Sequence, residues 1–376
     1  MSTRPIRVAH LVATAGRSGV ESHLRAALPA FDPHAIESRL FTPGPGPLVD
    51  ALVAAGVRVE PGAPTRKLAW GEATALGRRL RGACDVVHAH GPRVAFWAQT
   101  VARAAGARAV VVTLHELRWL SLPPGPRRWA WTTLESIANA RADRLVVLSS
   151  DAHARVLARH PAWRERLVLA PGTTPLLASP PPLASGTPRT GPLRLVCVGR
   201  FHWVKGHAAL LNAVAEARGR GLDLTLTLVG DGPLESALRA QADALGIGPV
   251  VHWHGGAFDA AHTLPEHDLF VAASHTETQG IAALEAIACG LPVLAPALGG
   301  FLDLVEDGVT GALVPHRERD DWSHALASAL ERLARDRAAL ARMGVAGQAR
   351  ATTRFAPREA AETLATLYRT LVPARD

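Results

Sequence analysis

The chain has few of the residues that build disulfide frameworks, metal clusters or membrane spans. Its three cysteines, Cys84, Cys197 and Cys289, stand far apart in apolar surroundings. They offer no metal-ligand spacing and no even disulfide set, so they read as buried thiols in a reducing compartment. No run approaches the roughly 20 apolar residues of a membrane span. The opening M-S-T-R-P-I-R-V-A-H-L-V is too short, and too interrupted by His10 and Arg17, to be the core of a signal peptide. A cytoplasmic protein is expected, with contact at a membrane surface left open. Neither a GxGxxG fingerprint nor a P-loop occurs, which counts against a dehydrogenase or an NTPase. Tyrosine and methionine are scarce, and the excess of arginine over lysine reads as genomic rather than functional.

At 376 residues the chain exceeds the usual limit for one core, so two domains are expected. The net charge of +8 is unevenly placed. Residues 1–188 hold 23 Lys/Arg against 12 Asp/Glu, a net +11, and the remainder is at −3. The basic half should face something anionic. Strand-like runs fall at 6–12, 36–41, 57–60, 85–90, 109–114, 144–148 and 167–170, then at 193–198, 222–229, 250–254, 269–273, 292–295 and 311–314. Helical runs separate them, which implies parallel sheets covered on both faces and an α/β architecture of two doubly wound domains. The expected boundaries are 1–174 and 193–356, joined by a Pro-rich connector at 175–192. The last segment, 357–376, carries an amphipathic run with Leu364, Leu367 and Leu371 on one stripe. It is free to pack back on the first domain, and the sequence does not choose.

The most informative stretch is E-T-Q-G-I-A-A-L-E-A-I-A-C-G-L-P, from Glu277 to Pro292. If residues 280–289 form a helix, eight positions separate Glu277 from Glu285 by roughly 12 Å. A helix N-terminus lies between them, with unpaired amides suited to a diphosphate. Such a site could hold a sugar hydroxyl at Glu277 and a ribose at Glu285, although two glutamates at this spacing are common as solvated residues. After the first strand, Gly16 and Gly19 sit in a loop that lets backbone amides approach a phosphate, but a glycine pair is weak evidence and an ordinary turn is the better explanation of it taken alone. In V-G-R-F-H-W-V-K-G-H, Arg200 and Lys205 leave a strand end just before a helix start, well placed for a diphosphate. His115 ends a strand in V-V-V-T-L-H-E. His88 and His90, in D-V-V-H-A-H-G, alternate onto one face, but no third ligand is evident, so hydrogen bonding is the better reading than metal binding.

Taken in order, these segments resemble the retaining glycosyltransferases of the GT-B fold, family 4. The resemblance runs through G-x-x-G-V-E at Gly16–Glu21, D-V-V-H-A-H-G, T-L-H at 113–115, A-D-R-L-V-V-L-S at 142–149, V-G-R…K-G at 198–206, L-V-G-D-G-P-L at 228–234, the paired glutamates with A-C-G-L-P-V, and G-G-F-L-D-L-V-E-D-G-V-T-G-A-L-V. It implies two Rossmann-like domains facing across a cleft, the second binding the donor. It also implies that Arg200 and Lys205 hold the diphosphate and stabilise the leaving group, and that Glu285 binds ribose. Glu277, Gln279, Gly280 and Ile281 would bind the donor sugar, Gly16 and Gly19 would line the first domain's side, and His115 would contact the reacting sugar. No cofactor and no metal ion is expected; the nucleoside-diphosphate-sugar is a co-substrate. The carboxylate pair is too widely spaced for the glycosidase type of retention, which needs about 5 Å.

Three departures from the family pattern stand out. Gln279 replaces an aromatic or apolar residue, L-A-P-G-T-T-P at 169–175 lacks the usual asparagine, and Phe201, His202 and Trp203 fill the diphosphate loop. The acceptor is expected to be a glycan or lipid-linked sugar of a cell-surface polysaccharide pathway. Residues 118–131 mix Arg118, Arg127 and Arg128 with Trp119, Trp129 and Trp131, which suits the anionic inner face of a plasma membrane. A sugar-nucleotide epimerase of the same fold, a basic nucleic-acid-binding protein and a silent homologue remain alternatives. No nucleic-acid recognition module is present, so no nucleic acid is expected.

Overall fold

Short β-branched runs form two fully parallel sheets, one of seven strands and one of six. The computed structural model describes residues 4–16, 18–66, 69–123, 125–182, 186–256, 260–316 and 322–373. The first sheet comprises β1 (Ile6–Val12), β2 (Ile36–Thr42), β3 (Arg58–Pro61), β4 (Val86–His90), β5 (Ala109–Thr113), β6 (Arg144–Val147) and β7 (Leu167–Leu169). Its order is β3-β2-β1-β4-β5-β6-β7. The second comprises β8 (Leu193–Val198), β9 (Leu224–Val229), β10 (Val251–His254), β11 (Leu269–Val271), β12 (Val293–Pro296) and β13 (Gly311–Val314), ordered β10-β9-β8-β11-β12-β13. Every strand run read from the sequence is found, with ends shifted by one or two residues. The largest trims are at β9, which begins at Leu224, and β11, which ends at Val271 because the chain leaves the sheet there to build a loop.

The chain divides into two units, 1–175 with 355–376, and 176–354. The first therefore includes the terminal helix Pro357–Leu371. That helix buries Ala361, Leu364, Ala365, Leu367 and Tyr368 in one cluster with Val8, Val12, Leu24, Val86 and Val111, covering one face of the first sheet. The other face packs Ala9, Leu11, Val87, Ala89 and Val112 against the helix Pro92–Ala105, which buries Trp97. Strand alternation thus sends neighbouring residues of β1 and β4 to opposite cores. Asp85, just before β4, accepts hydrogen bonds from the Arg4 and Arg7 side chains and from the Arg7 backbone amide. Burial alone would push its carboxyl up, but these partners hold it well below the usual carboxylate range.

The segment read as an interdomain connector groups with the second unit from residue 176. It is tied there by Arg189, which donates to the His267 carbonyl at 2.6 Å, and by Gln348, which donates to the Pro181 carbonyl at 3.2 Å. Proline content suggests a semi-stiff connector, but hydrogen bonds running both ways hold the segment to the unit that follows: its Arg189 donates to that unit, and its Pro181 carbonyl accepts from Gln348.

Candidate functional site

In an open parallel sheet, ligands collect beyond the carboxyl ends of the strands where the winding direction reverses. In the second unit that point lies between β8 and β11, which pair through Leu195 and Leu269. The loop after β8 carries Arg200 and Lys205, and the loop after β11 carries Glu277, Gln279 and Gly280. Sheet topology therefore brings together two segments about 70 residues apart. The contact is direct: Lys205 Nζ donates to Glu277 Oε2 at 2.7 Å, with both side chains partly buried. The Lys205 stem lies beside Gly199, where a β-carbon would meet it at 3.5 Å. Lys205 is also one of only two lysines in the chain. Arg200 is exposed and makes no side-chain hydrogen bond or ion pair among the described residues, so its guanidinium is available to a ligand.

Glycines let these loops press together. Gly206 ends the β8 loop at φ +64°, and a β-carbon there would lie 1.7 Å from the Ala273 carbonyl oxygen. Gly299 (φ +56°) approaches the Glu277 carbonyl so closely that a β-carbon would sit 1.8 Å from it. Only glycine fits such approaches. The Gly299–Gly300 pair, part of the G-G-F-L-D motif, is the floor under Glu277 and Gln279.

Two helices start at this point. His207–Gly219 follows Gly206, and Ile281–Ala288 follows Gly280, whose φ is +85°. The second begins one residue later than expected and ends one earlier, with Gly280 and Cys289 as its caps. Neither helix has a side-chain cap or an acidic residue in its first turn. Their first amides and positive dipole ends are thus left for an anion. Glu285 lies in the second turn of Ile281–Ala288, partly buried.

Gln279 is only 4 % exposed, yet neither its Oε1 nor its Nε2 has a hydrogen-bond partner among the described residues. A buried amide with both ends unpaired is costly, and it marks a place where a polar ligand group would be welcome. Of the three aromatic or imidazole side chains in the loop after β8, Phe201 belongs to the core, packed edge-on to His207 and Trp253. Trp203 stays 40 % exposed.

In the first unit the corresponding reversal lies between β1 and β4. Ser18 caps the helix Gly19–Ala27, accepting from the Val20 amide at 3.2 Å. Glu21 is buried and accepts from the hydroxyls of both Thr14 and Ser18, clamping the loop that holds Gly16 and Gly19. Arg17 lies outside the described residues. Glu21 was quoted in the loop motif without a role; its place one turn into the helix was the available signal.

The histidines form a larger cluster than the sequence showed. His10 on β1 pairs in register with His88, and Val12 with His90. The missing third imidazole is therefore His10: ring nitrogens of His10, His88 and His90 all lie within 4.8 Å of one another. The nitrogens are largely committed to hydrogen bonds. His10 Nδ1 contacts His90 Nε2 at 3.1 Å, and His90 Nδ1 contacts His115 Nε2 at 3.2 Å. His88 bonds Tyr368 Oη at 2.6 Å and Thr113 Oγ1 at 2.7 Å. His23 accepts from the Thr173 amide at 3.2 Å. Burial holds all five imidazoles neutral, with His10 pushed down to about 3 and His23 to about 4.

The Arg/Trp segment divides on inspection. Trp119 packs on the core beneath Arg159, and Trp131 lies under Arg118, so neither is a free anchor. Trp129 is 71 % exposed. It shares the helix Pro126–Ala140 with Leu134 and Ile137, both exposed, while Thr132, Glu135 and Asn139 of the same helix are buried. Three large apolar side chains of this helix therefore face solvent while three polar ones face the protein. Burial pushes the Glu135 carboxyl up to about 7.

Known proteins resemble this chain in sequence and in fold. Residues 18–173 match the description "Glycosyl transferase 4-like domain", and residues 192–336 match "Glycosyl transferases group 1". The chain is 30 % identical over 370 residues to D-inositol 3-phosphate glycosyltransferase 1 of Catenulispora acidiphila, covering 90 % of this chain and 86 % of that protein. It is 33 % identical to a GDP-mannose-dependent alpha-(1-6)-phosphatidylinositol monomannoside mannosyltransferase of Mycolicibacterium smegmatis, over 66 % of each. The crystal structure of Anabaena HepE in complex with UDP-glucose superposes with a TM-score of 0.80 at 20 % identity, over 97 % of this chain and 100 % of that one. With two parallel sheets of this topology, and family matches over both halves, the chain belongs to the group 1 glycosyl transferases of the GT-B fold.

Proposed function

We propose that this glycosyltransferase moves a hexose from a nucleoside-diphosphate-sugar to an acceptor with retention at the anomeric carbon. The observation that carries the reading is the Lys205–Glu277 ion pair at the winding reversal, beside two uncapped helix N-termini. A diphosphate there would meet the Lys205 ammonium, the free Arg200 guanidinium and the first amides of the helix Ile281–Ala288. Charge growing on the leaving phosphate in the transition state would be met by fixed donors, without reorganisation. Glu277, held by Lys205, and the unpaired amide of Gln279 would take the donor sugar's hydroxyls; Glu285 would take the ribose. The leaving phosphate oxygen would accept the acceptor's proton on the face it vacates, which gives retention without a second carboxylate.

These cations can do the work otherwise given to a divalent ion, so the reaction is proposed to be metal-independent. A panel of nucleotide sugars tested by thermal shift and slow donor hydrolysis should show stabilisation by one nucleoside diphosphate family, unchanged by EDTA. Glu285→Ala should weaken that binding, while Glu277→Ala should mainly lower turnover. A flat response to every nucleotide would sink the proposal. Turnover of donor alone to an epimerised sugar nucleotide would favour the epimerase instead.

The acceptor is proposed to be a lipid-linked sugar. The exposed apolar face of Trp129, Leu134 and Ile137, with Arg127 beside it, suits an anionic membrane surface, and the mannosyltransferase relative is named for a phosphatidylinositol glycolipid. Among the described residues no helix is long and apolar enough to cross a membrane. In flotation with phosphatidylglycerol vesicles, Trp129→Ser should reduce binding about tenfold. Equal flotation of variant and parent, or none by the parent, would remove the membrane from the account. A soluble phosphorylated cyclitol is the second reading, favoured by the inositol-phosphate relative.

A further inference from the structure

We propose that His90 and His10 are positioning residues that fix the tautomer of His115, so that its Nδ1 carries the proton and donates it in a hydrogen bond. The proposal rests on the reading above, in which His115 serves the donor sugar, but its geometry belongs wholly to the first unit. Three rings form an unbranched chain, His10 Nδ1 to His90 Nε2 at 3.1 Å and His90 Nδ1 to His115 Nε2 at 3.2 Å. A neutral imidazole has one N–H and one bare nitrogen, so each ring must donate on one side and accept on the other. The chain has only two polarities. Either all three protons sit on Nδ1, or all three sit on Nε2.

The far end chooses between them. His10 is fully buried, and its Nε2 has no partner among the described residues. Its ring neighbours are Phe31, His88, His90 and Tyr368. With protons on Nε2, His10 would leave an N–H orphaned in the core, the rarer of the two faults in folded proteins; with protons on Nδ1 it leaves only a bare lone pair. His10 Nδ1–H therefore donates to His90, and His90 Nδ1–H donates to His115 Nε2. His115 is left with a proton on Nδ1, for which no partner exists among the described residues, on a ring that is partly exposed. A neutral imidazole with a fixed N–H presents a donor to a sugar hydroxyl or developing negative charge, and it cannot act as a base through Nδ1. His88 stands apart, since its two nitrogens are taken by Tyr368 and Thr113.

Long-range proton–nitrogen correlation spectra of the full chain, labelled with 15N-histidine and assigned through His115→Gln, read the tautomer directly. At pH 7.5 the wild-type His115 should show a protonated Nδ1 and a bare Nε2. His90→Phe should move the His115 proton toward Nε2 and lower kcat about tenfold, with donor affinity changed less than twofold. His90→Gln, whose amide offers an N–H, should restore both. A protonated Nε2 on His115 in the wild type overturns the proposal, even if no buried variant folds. So does an unchanged His115 spectrum in folded His90→Phe. Paramagnetic shifts centred on His10, His88 and His90 on adding Co²⁺ would replace the chain by a cation site and overturn it too. If the tautomer is as stated but no nucleotide sugar is turned over, the transferase reading fails and the histidine chain stands.

Discussion

Acidification from pH 7.5 should unfold the first unit between about pH 4.5 and 5.5, with the second unit outlasting it. The sign follows from burial. His10, His23, His88 and His90 are held neutral in the native state, their pKa values lowered by desolvation. In the unfolded chain they titrate near 6.5. Stability from these rings is thus complete above pH 6.5 and is lost as the pH falls toward the native values. Each contributes a slope of about 1.4 kcal/mol per pH unit, so four give about 5 kcal/mol per pH unit. A domain in the lower two thirds of the usual range of roughly 5–15 kcal/mol cannot survive more than about one or two units of that. In the second unit, His207 is the clearest fully buried counterpart, lowered to about 4. Hydrogen exchange read by mass spectrometry, resolved over the two units, would follow the loss. Equal protection of β1 and β4 at pH 4.5 and 7.5 would show that the cluster accepts protons in place.

Replacing Lys205 by alanine should lower turnover by about two to three orders of magnitude, the usual effect of removing one aimed donor. The loss has two parts. The ammonium no longer meets the leaving diphosphate, and Glu277 is left partly buried without its partner at 2.7 Å. Glu277→Ala should remove the second part by itself, so the double variant should fall short of the product of the single losses. Lys205→Arg should not rescue activity, because the guanidinium is planar and broader than an ammonium, in a slot against Gly199. A melting temperature within a few degrees of the parent would show that the loss is in the site. An alanine variant with more than a tenth of parental turnover would remove Lys205 from the catalytic account.

The strands were legible because parallel strands buried on both faces read as short apolar runs between helices. The two loops that meet at the winding reversal were legible as well, since Arg200, Lys205, Gly206, Glu277 and Gly280 each leave a local signature. What could not be read was contact made by register. His10 meets His90 only because Val12 pairs with His90 across β1 and β4, and Tyr368 reaches His88 from 280 positions away. The Arg/Trp segment shows the converse limit. Its composition pointed to a surface, but only packing could separate Trp129 from the seated Trp119 and Trp131. The scarcity of lysine is itself a signal in the sequence, since one of only two, Lys205, pairs with Glu277.

The second unit is inserted into the first, so the helix Pro357–Leu371 of the first unit is made only after the whole of the second. At roughly 5–20 residues per second, a ribosome that has finished β7 needs about 10–40 s to deliver Tyr368. Until then the face of β1 and β4 that carries His10 and His88 lacks its cover. The nascent first unit lacks one of its covering helices during that time, while the second unit can fold behind it. Packing of Tyr368 against His88 is thereby coupled to synthesis of the second unit, which precedes that helix in the chain.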